Sequence, residues 1–185
     1  MKKQIALLLA AFALSGMAFA QAVPAPARAT RPAESFLTPS AHYMPRGNGL
    51  KGSFGYSLSS GVVLHESHRL GLDIGLFDAD YRHGPGKMKF MPLTSSYQYA
   101  LPFSDQLQMH AGVFAGAMFE KNRNQPGISN SRRTAFTYGT TLGFDFAMSE
   151  SFSAGVSGKW LHVDKVKDLR KRDLPLVGLN CCVKF

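Results

Sequence analysis

Large apolar and small or polar residues trade places one by one along most of this chain. Over residues 134–148, Phe136, Tyr138, Leu142, Phe144, Phe146 and Met148 share one parity, and Thr137, Gly139, Thr141, Gly143 and Asp145 share the other. Successive side chains of a strand point to opposite faces, so this pattern predicts a β-strand with one bulky face and one small or polar face. The same alternation runs through 50–64, 70–81, 89–103, 107–119, 152–163 and 174–185. In the last of these, Val177, Leu179, Cys181, Val183 and Phe185 oppose Gly178, Asn180, Cys182 and Lys184. Residues 35–44 form a weaker eighth candidate, because Pro39 lacks the ladder donor and suits an edge or bulge.

The connections alternate in length. Short links near Glu66, Ser104 and Ser149 interleave with longer ones around Arg46, His83, Asn124 and Lys167. Short turns on one side and long loops on the other are the habit of outer-membrane barrels, which also favour an even strand count. A soluble sandwich or lipocalin-like barrel would alternate too, but with its large apolar side chains inward. Here the bulky face is continuous over many strands, while the other carries Gly, Ser, Thr and a few charges. Lipid suits the first face, and the narrow lumen of an eight-stranded barrel suits the second. Phe103, Phe146, Phe152 and Phe185 gather near the short-turn ends, and Phe54, Phe119, Phe136, Tyr138 and Trp160 toward the loop ends, as two interfacial belts would. The expected class is all-β, an eight-stranded antiparallel transmembrane β-barrel of outer-membrane type, spanning 35–185.

Two segments precede it. Residues 1–20 have a positive start (Lys2, Lys3), a moderate apolar run and Ala18-Phe19-Ala20 at the cleavage position, the plan of a secretory signal peptide. Residues 21–34 are rich in Pro and Ala and read as a periplasmic tether. After Ala20 no apolar run reaches the ~20 residues of a membrane-spanning helix.

On these strands the chain resembles the small outer-membrane β-barrel proteins of the OmpX, OmpW and opacity-protein type, over about residues 35–185. The most specific element is the last strand, in which Gly178, Val183 and Phe185 look like the signal read by the barrel-assembly machinery. Val183 stands where an aromatic is common. The resemblance implies an outer membrane of Gram-negative type, a monomer and no cofactor, and it carries no catalytic residues.

Charge changes the picture. The formal net charge is +9, and most of it sits in the longer connections. Lys121, Arg123, Arg132 and Arg133 flank the third, and Lys165, Lys167, Arg170, Lys171 and Arg172 fill the fourth. A basic outer crown would meet the phosphates of lipopolysaccharide through charge-assisted contacts, or engage surface partners as in adhesion, and the expected role is that of a non-enzymatic envelope or surface protein. Secretion disfavours nucleic acid as the partner. On the inward parity, Asp73, His110, Asp145, Lys159 and Lys184 are expected to form a polar network that fills the lumen. Two rival readings are a narrow pore for small hydrophobic molecules and a lipid A-modifying enzyme. For the latter, His162 with Asp164 near the rim is the candidate pair, without a Ser beside it. Cys181 and Cys182 are neighbours with Cα atoms ~3.8 Å apart, too close for an unstrained disulfide, and no metal-binding spacing accompanies them.

Overall fold

The computed structural model describes residues 33–47, 49–65, 67–82, 86–123, 132–164 and 172–185, with the side chains of Asn122 and Arg123 set aside. The expected signal peptide and nearly all of the expected tether lie outside the described residues. Eight strands follow one another: β1 Glu34–Met44, β2 Ser53–Leu64, β3 His68–Asp80, β4 Lys87–Pro102, β5 Leu107–Arg123, β6 Arg132–Ala147, β7 Phe152–Val163 and β8 Arg172–Lys184. Each pairs antiparallel with the next, and β1 pairs with β8 to close the barrel. Closure leaves no open sheet edge, which is the condition for strands to cross hydrocarbon.

The weak first strand is therefore real, and Pro39 leaves a local mark. The β1–β8 register runs through Phe36↔Lys184 and Leu37↔Val183, skips Thr38 and Pro39, and resumes at Ser40↔Asn180. A residue without an N–H cannot donate to that ladder. Several strands run further toward the loops than the sequence reading, β5 to Arg123 and β8 from Arg172 among them, and two differences move residues to another place. Leu50 precedes β2 and is buried, bridged to Tyr81, so it does not face lipid. His68 and Arg69, read as part of a link, open β3 instead.

The orientation of the faces follows the alternation. Tyr56, Leu76, Tyr97, Val113, Leu142, Phe144, Val156 and Leu179 are exposed on the outside, while Thr94, Thr137, Thr141, Asp145 and Asn180 are buried within. Phe103 and Phe185 stand exposed at the short-turn end, and Phe54, Phe136 and Trp160 toward the loop end. Both free cysteines keep the expected sides, Cys181 outward and Cys182 inward.

The filling of the barrel departs from a uniformly small and polar interior. Its loop-side half is an apolar core in which Met44, Leu50, Phe77, Met88, Phe90, Phe114, Met118, Leu161 and Leu176 pack together. Phe77 and Phe90 stack with centroids 5.1 Å apart. Most buried polar groups lie nearer the short turns, Glu120 and Thr137 being at the loop side, and a small apolar cluster of Phe36, Val63 and Cys182 lies near the short turns too.

Candidate functional site

Two buried ionic clusters occupy the lumen. In the first, Lys159 Nζ donates to Asp73 Oδ2 at 2.7 Å, and Ser59 donates to the same carboxylate. Asp73 and Lys159 thus meet as their parity foretold. In the second, Asp145 is nearly inaccessible and accepts from Arg69 Nη1 at 2.9 Å and from Asn180 Nδ2 at 2.7 Å. His110 Nδ1 lies 3.4 Å from the same carboxylate, and Arg69 Nη2 also donates to Gln108 at 2.7 Å. A guanidinium presents a planar fork of donors, so one Arg spans Asp145 and Gln108 together. Glycine makes the room. A Cβ at Gly143 would fall 2.4 Å from the His110 ring nitrogen.

Several expectations about this network need correcting. Arg69 is its principal cation and was not among the expected members; its inward parity with Gly71 and Asp73 was the available signal. Lys184 stands apart from it, partly exposed, with its Nζ 3.9 Å from Glu34 at the short-turn rim. His42 was also missed. It is buried and shares a 2.8 Å hydrogen bond with Ser57 Oγ. Gly178, one of the residues of the assembly signal, faces inward beside it; a Cβ there would lie 2.3 Å from His42 Nδ1.

At the loop end the basic residues divide by parity. Arg172 turns inward, with Nη1 3.6 Å from buried Glu120, so it is not part of an outward crown. The inward direction follows from its parity with Leu174 and Leu176. Arg133 lies directly opposite Glu120 in the β5–β6 register, on the same inner side. Lys89, Lys121 and Arg132 have the outward parity and stand in one cross-strand row, Lys89↔Lys121 and Lys121↔Arg132. Asp78 continues that row and pairs with Lys89. Lys165, Lys167, Arg170 and Lys171 lie outside the described residues, as does the side chain of Arg123.

On the outer wall His162 finds an acid, but in the neighbouring strand. Its Nδ1 is 2.8 Å from Asp173 Oδ1, while Asp164 is 3.7 Å from Nε2. Trp160 Nε1 donates to Asp173 at 3.3 Å, and the Tyr138 ring lies 4.8 Å from the imidazole. A carboxylate on Nδ1 fixes the ring and its tautomer. Acyl hydrolysis would also require a nucleophile on Nε2, and among the described residues that nitrogen has no hydrogen-bond partner.

No protein-family model and no curated protein matches the chain. Solved structures do. Neisserial surface protein A superposes with a TM-score of 0.65 at 15% identity, over 83% of this chain and 97% of that one. Ail, the attachment invasion locus protein of Yersinia pestis, gives 0.56 at 13% identity, over 83% and 98%; it has also been solved with the heparin analogue sucrose octasulfate. The N-terminal β-barrel domain of Pseudomonas aeruginosa OprF gives 0.51 at 13% identity, over 82% and 97%. The likeness lies in the backbone and carries the fold. With its closed sheet and its apolar exterior, the chain has the fold of the small eight-stranded outer-membrane barrels.

Proposed function

We propose that this protein is a closed, non-enzymatic envelope barrel, monomeric in the outer membrane, whose loop-side rim binds lipopolysaccharide phosphates. The observation that supports it is the outward row Lys89, Lys121 and Arg132, three cations beside the one acid Asp78 that pairs with Lys89. Like charges directly opposite one another across strands are unfavourable. A phosphate between them reverses the sign and accepts charge-assisted hydrogen bonds. In the sequence, Arg123 and the run Lys165, Lys167, Arg170 and Lys171 add cations to the connections that adjoin β5, β7 and β8. Ail with its sulfated sugar is an instance of a polyanion held by a barrel of this fold. The outward-facing Val183 and Phe185 support the last strand as the signal for the barrel-assembly machinery.

Retention on immobilised lipopolysaccharide tests the reading. The folded protein is expected to elute later from phosphate-bearing than from dephosphorylated material, at moderate salt where surface charges are only partly screened. Lys89→Gln with Arg132→Gln should abolish most of that difference. Equal retention on both materials would remove phosphate from the account.

The apolar core across the loop-side half supports closure. Phe77, Phe90, Phe114 and Met118 fill the bore where a conducting path would need water. No unitary conductance is therefore expected in planar bilayers. Steady single-channel currents from the unaltered protein would overturn closure and revive the pore. The mass of lipid A is expected to be unchanged on overexpression; a loss of acyl mass abolished by His162→Ala would overturn the non-enzymatic reading.

A further inference from the structure

The lipid-facing wall carries an open cleft of about 710 Å³, within the size range of ligand sites. Its floor is made of residues that are small for this belt: Ser95, Ala115 and Thr140, all exposed. Tyr97, Tyr138 and Trp160 rise around them, each more than a third exposed. At one end stands the His162–Asp173 pair.

Position narrows the occupant. Tyr97 pairs with Val113, Val113 with Thr140, and Thr140 with Trp160, so the cleft follows a cross-strand row. Strands in such barrels tilt by ~35–45°, and a row perpendicular to them therefore climbs the wall. Tyr97 is toward the short-turn end of β4, whereas Trp160 is close to the loop end of β7. Three strand spacings of ~4.8 Å separate them along the wall, so at that tilt the row climbs about 8–10 Å, more than half of one leaflet of a ~30 Å hydrocarbon core. A chain that runs down this track, with its polar end at the loop side, is an acyl chain of the outer leaflet.

Two details choose among lipids. Ser95 and Thr140 put hydroxyls into an otherwise apolar belt, where a hydroxyl is costly without a partner. A hydroxylated acyl chain supplies one. The upper end offers the half-exposed Asp173 carboxylate, held by His162 Nδ1 and Trp160 Nε1, as an acceptor for a chain hydroxyl. Both features suit the hydroxyacyl chains of lipopolysaccharide better than the plain chains of a phospholipid. We infer that the cleft walled by Tyr97, Tyr138 and Trp160 seats one hydroxyacyl chain of lipopolysaccharide, with its polar end held at His162–Asp173. The choice of lipid rests on the phosphate-binding reading above; the cleft itself does not.

Trp160 is the single tryptophan of the chain, so its fluorescence reports on the cleft directly. The protein is reconstituted in phosphatidylcholine bilayers whose chains carry bromine, and purified lipid A with hydroxyacyl chains is added. Quenching of Trp160 should fall by about half, because the chain covers one flank of the exposed indole. Phosphatidylglycerol, anionic but without a chain hydroxyl, should give no protection. Ala115→Leu with Thr140→Leu fills the floor with side chains that lipid tolerates. It should abolish the protection and leave phosphate-dependent retention on the lipopolysaccharide column intact. Unchanged quenching with lipid A, or protection that survives the filled floor, overturns the cleft. Equal protection by phosphatidylglycerol overturns the choice of lipopolysaccharide. Protection that persists in a protein without phosphate-dependent retention upholds the cleft while the rim reading fails.

Discussion

Arg69→Met is expected to destabilise the barrel by about 3–5 kcal/mol, the usual cost of stranding one member of a buried ion pair. The Arg69 and Asp145 side chains are only 8% and 2% exposed, and their atoms approach to 2.9 Å. Methionine keeps much of the stem and removes the guanidinium, so Asp145 retains the Asn180 amide and the nearby His110 but loses its full cation. Gln108 loses its donor in the same step. The double variant Arg69→Met with Asp145→Asn should recover most of the loss, because no charge is then left stranded. Urea titration of the heat-modifiable band in liposomes measures both. A single-variant loss under about 1 kcal/mol would place the pair in the weak range of surface ion pairs, and the account of a lumen held by that cluster would fail.

Why Arg69 escaped the sequence reading is physical. It sits two residues beyond Ser67, where a charged residue after a turn looks like solvated trim. Only the closed barrel brings β3 to face β6 across the lumen, so the partner lies 76 residues away in sequence. Glu120 and Arg172 are the same case at the loop end. The strands themselves were legible because lipid demands a continuous bulky face, and that demand imposes period 2 wherever the inner face is small. The signal fades where the inner face is bulky as well. Around Phe114 and Met118 in β5, and Met88 and Phe90 in β4, apolar residues occupy inner positions too, and alternation no longer marks what fills the bore. The apolar core was hidden for that reason. Asp73 and Lys159 were legible because a charge on the inner parity of a thin barrel has little choice but to find its opposite.

Leu142→Arg is expected to cost about 2–4 kcal/mol and to reduce the assembled, heat-modifiable fraction sharply, the penalty for a cation facing mid-bilayer lipid. Leu142 is half exposed on the outer face, between Tyr138 toward one interface and Phe146 toward the other. An arginine there cannot reach either headgroup region without bending past an aromatic ring, so snorkelling relieves it less than at the belts. The matched control is Leu142→Phe, which keeps an apolar surface toward lipid and should assemble like the parent. Thr141→Arg is a poor control despite its inward parity. Thr141 is buried, and its β7 register partner is Lys159, so a second cation would crowd the Asp73 pair. Separating the two interpretations requires Thr141→Val, which removes a lumen hydroxyl at similar volume and should cost about 1 kcal/mol, the worth of one hydrogen-bonding group. If Leu142→Arg assembles as well as Leu142→Phe, the outer face is not in hydrocarbon, and both the rim and the cleft lose their setting.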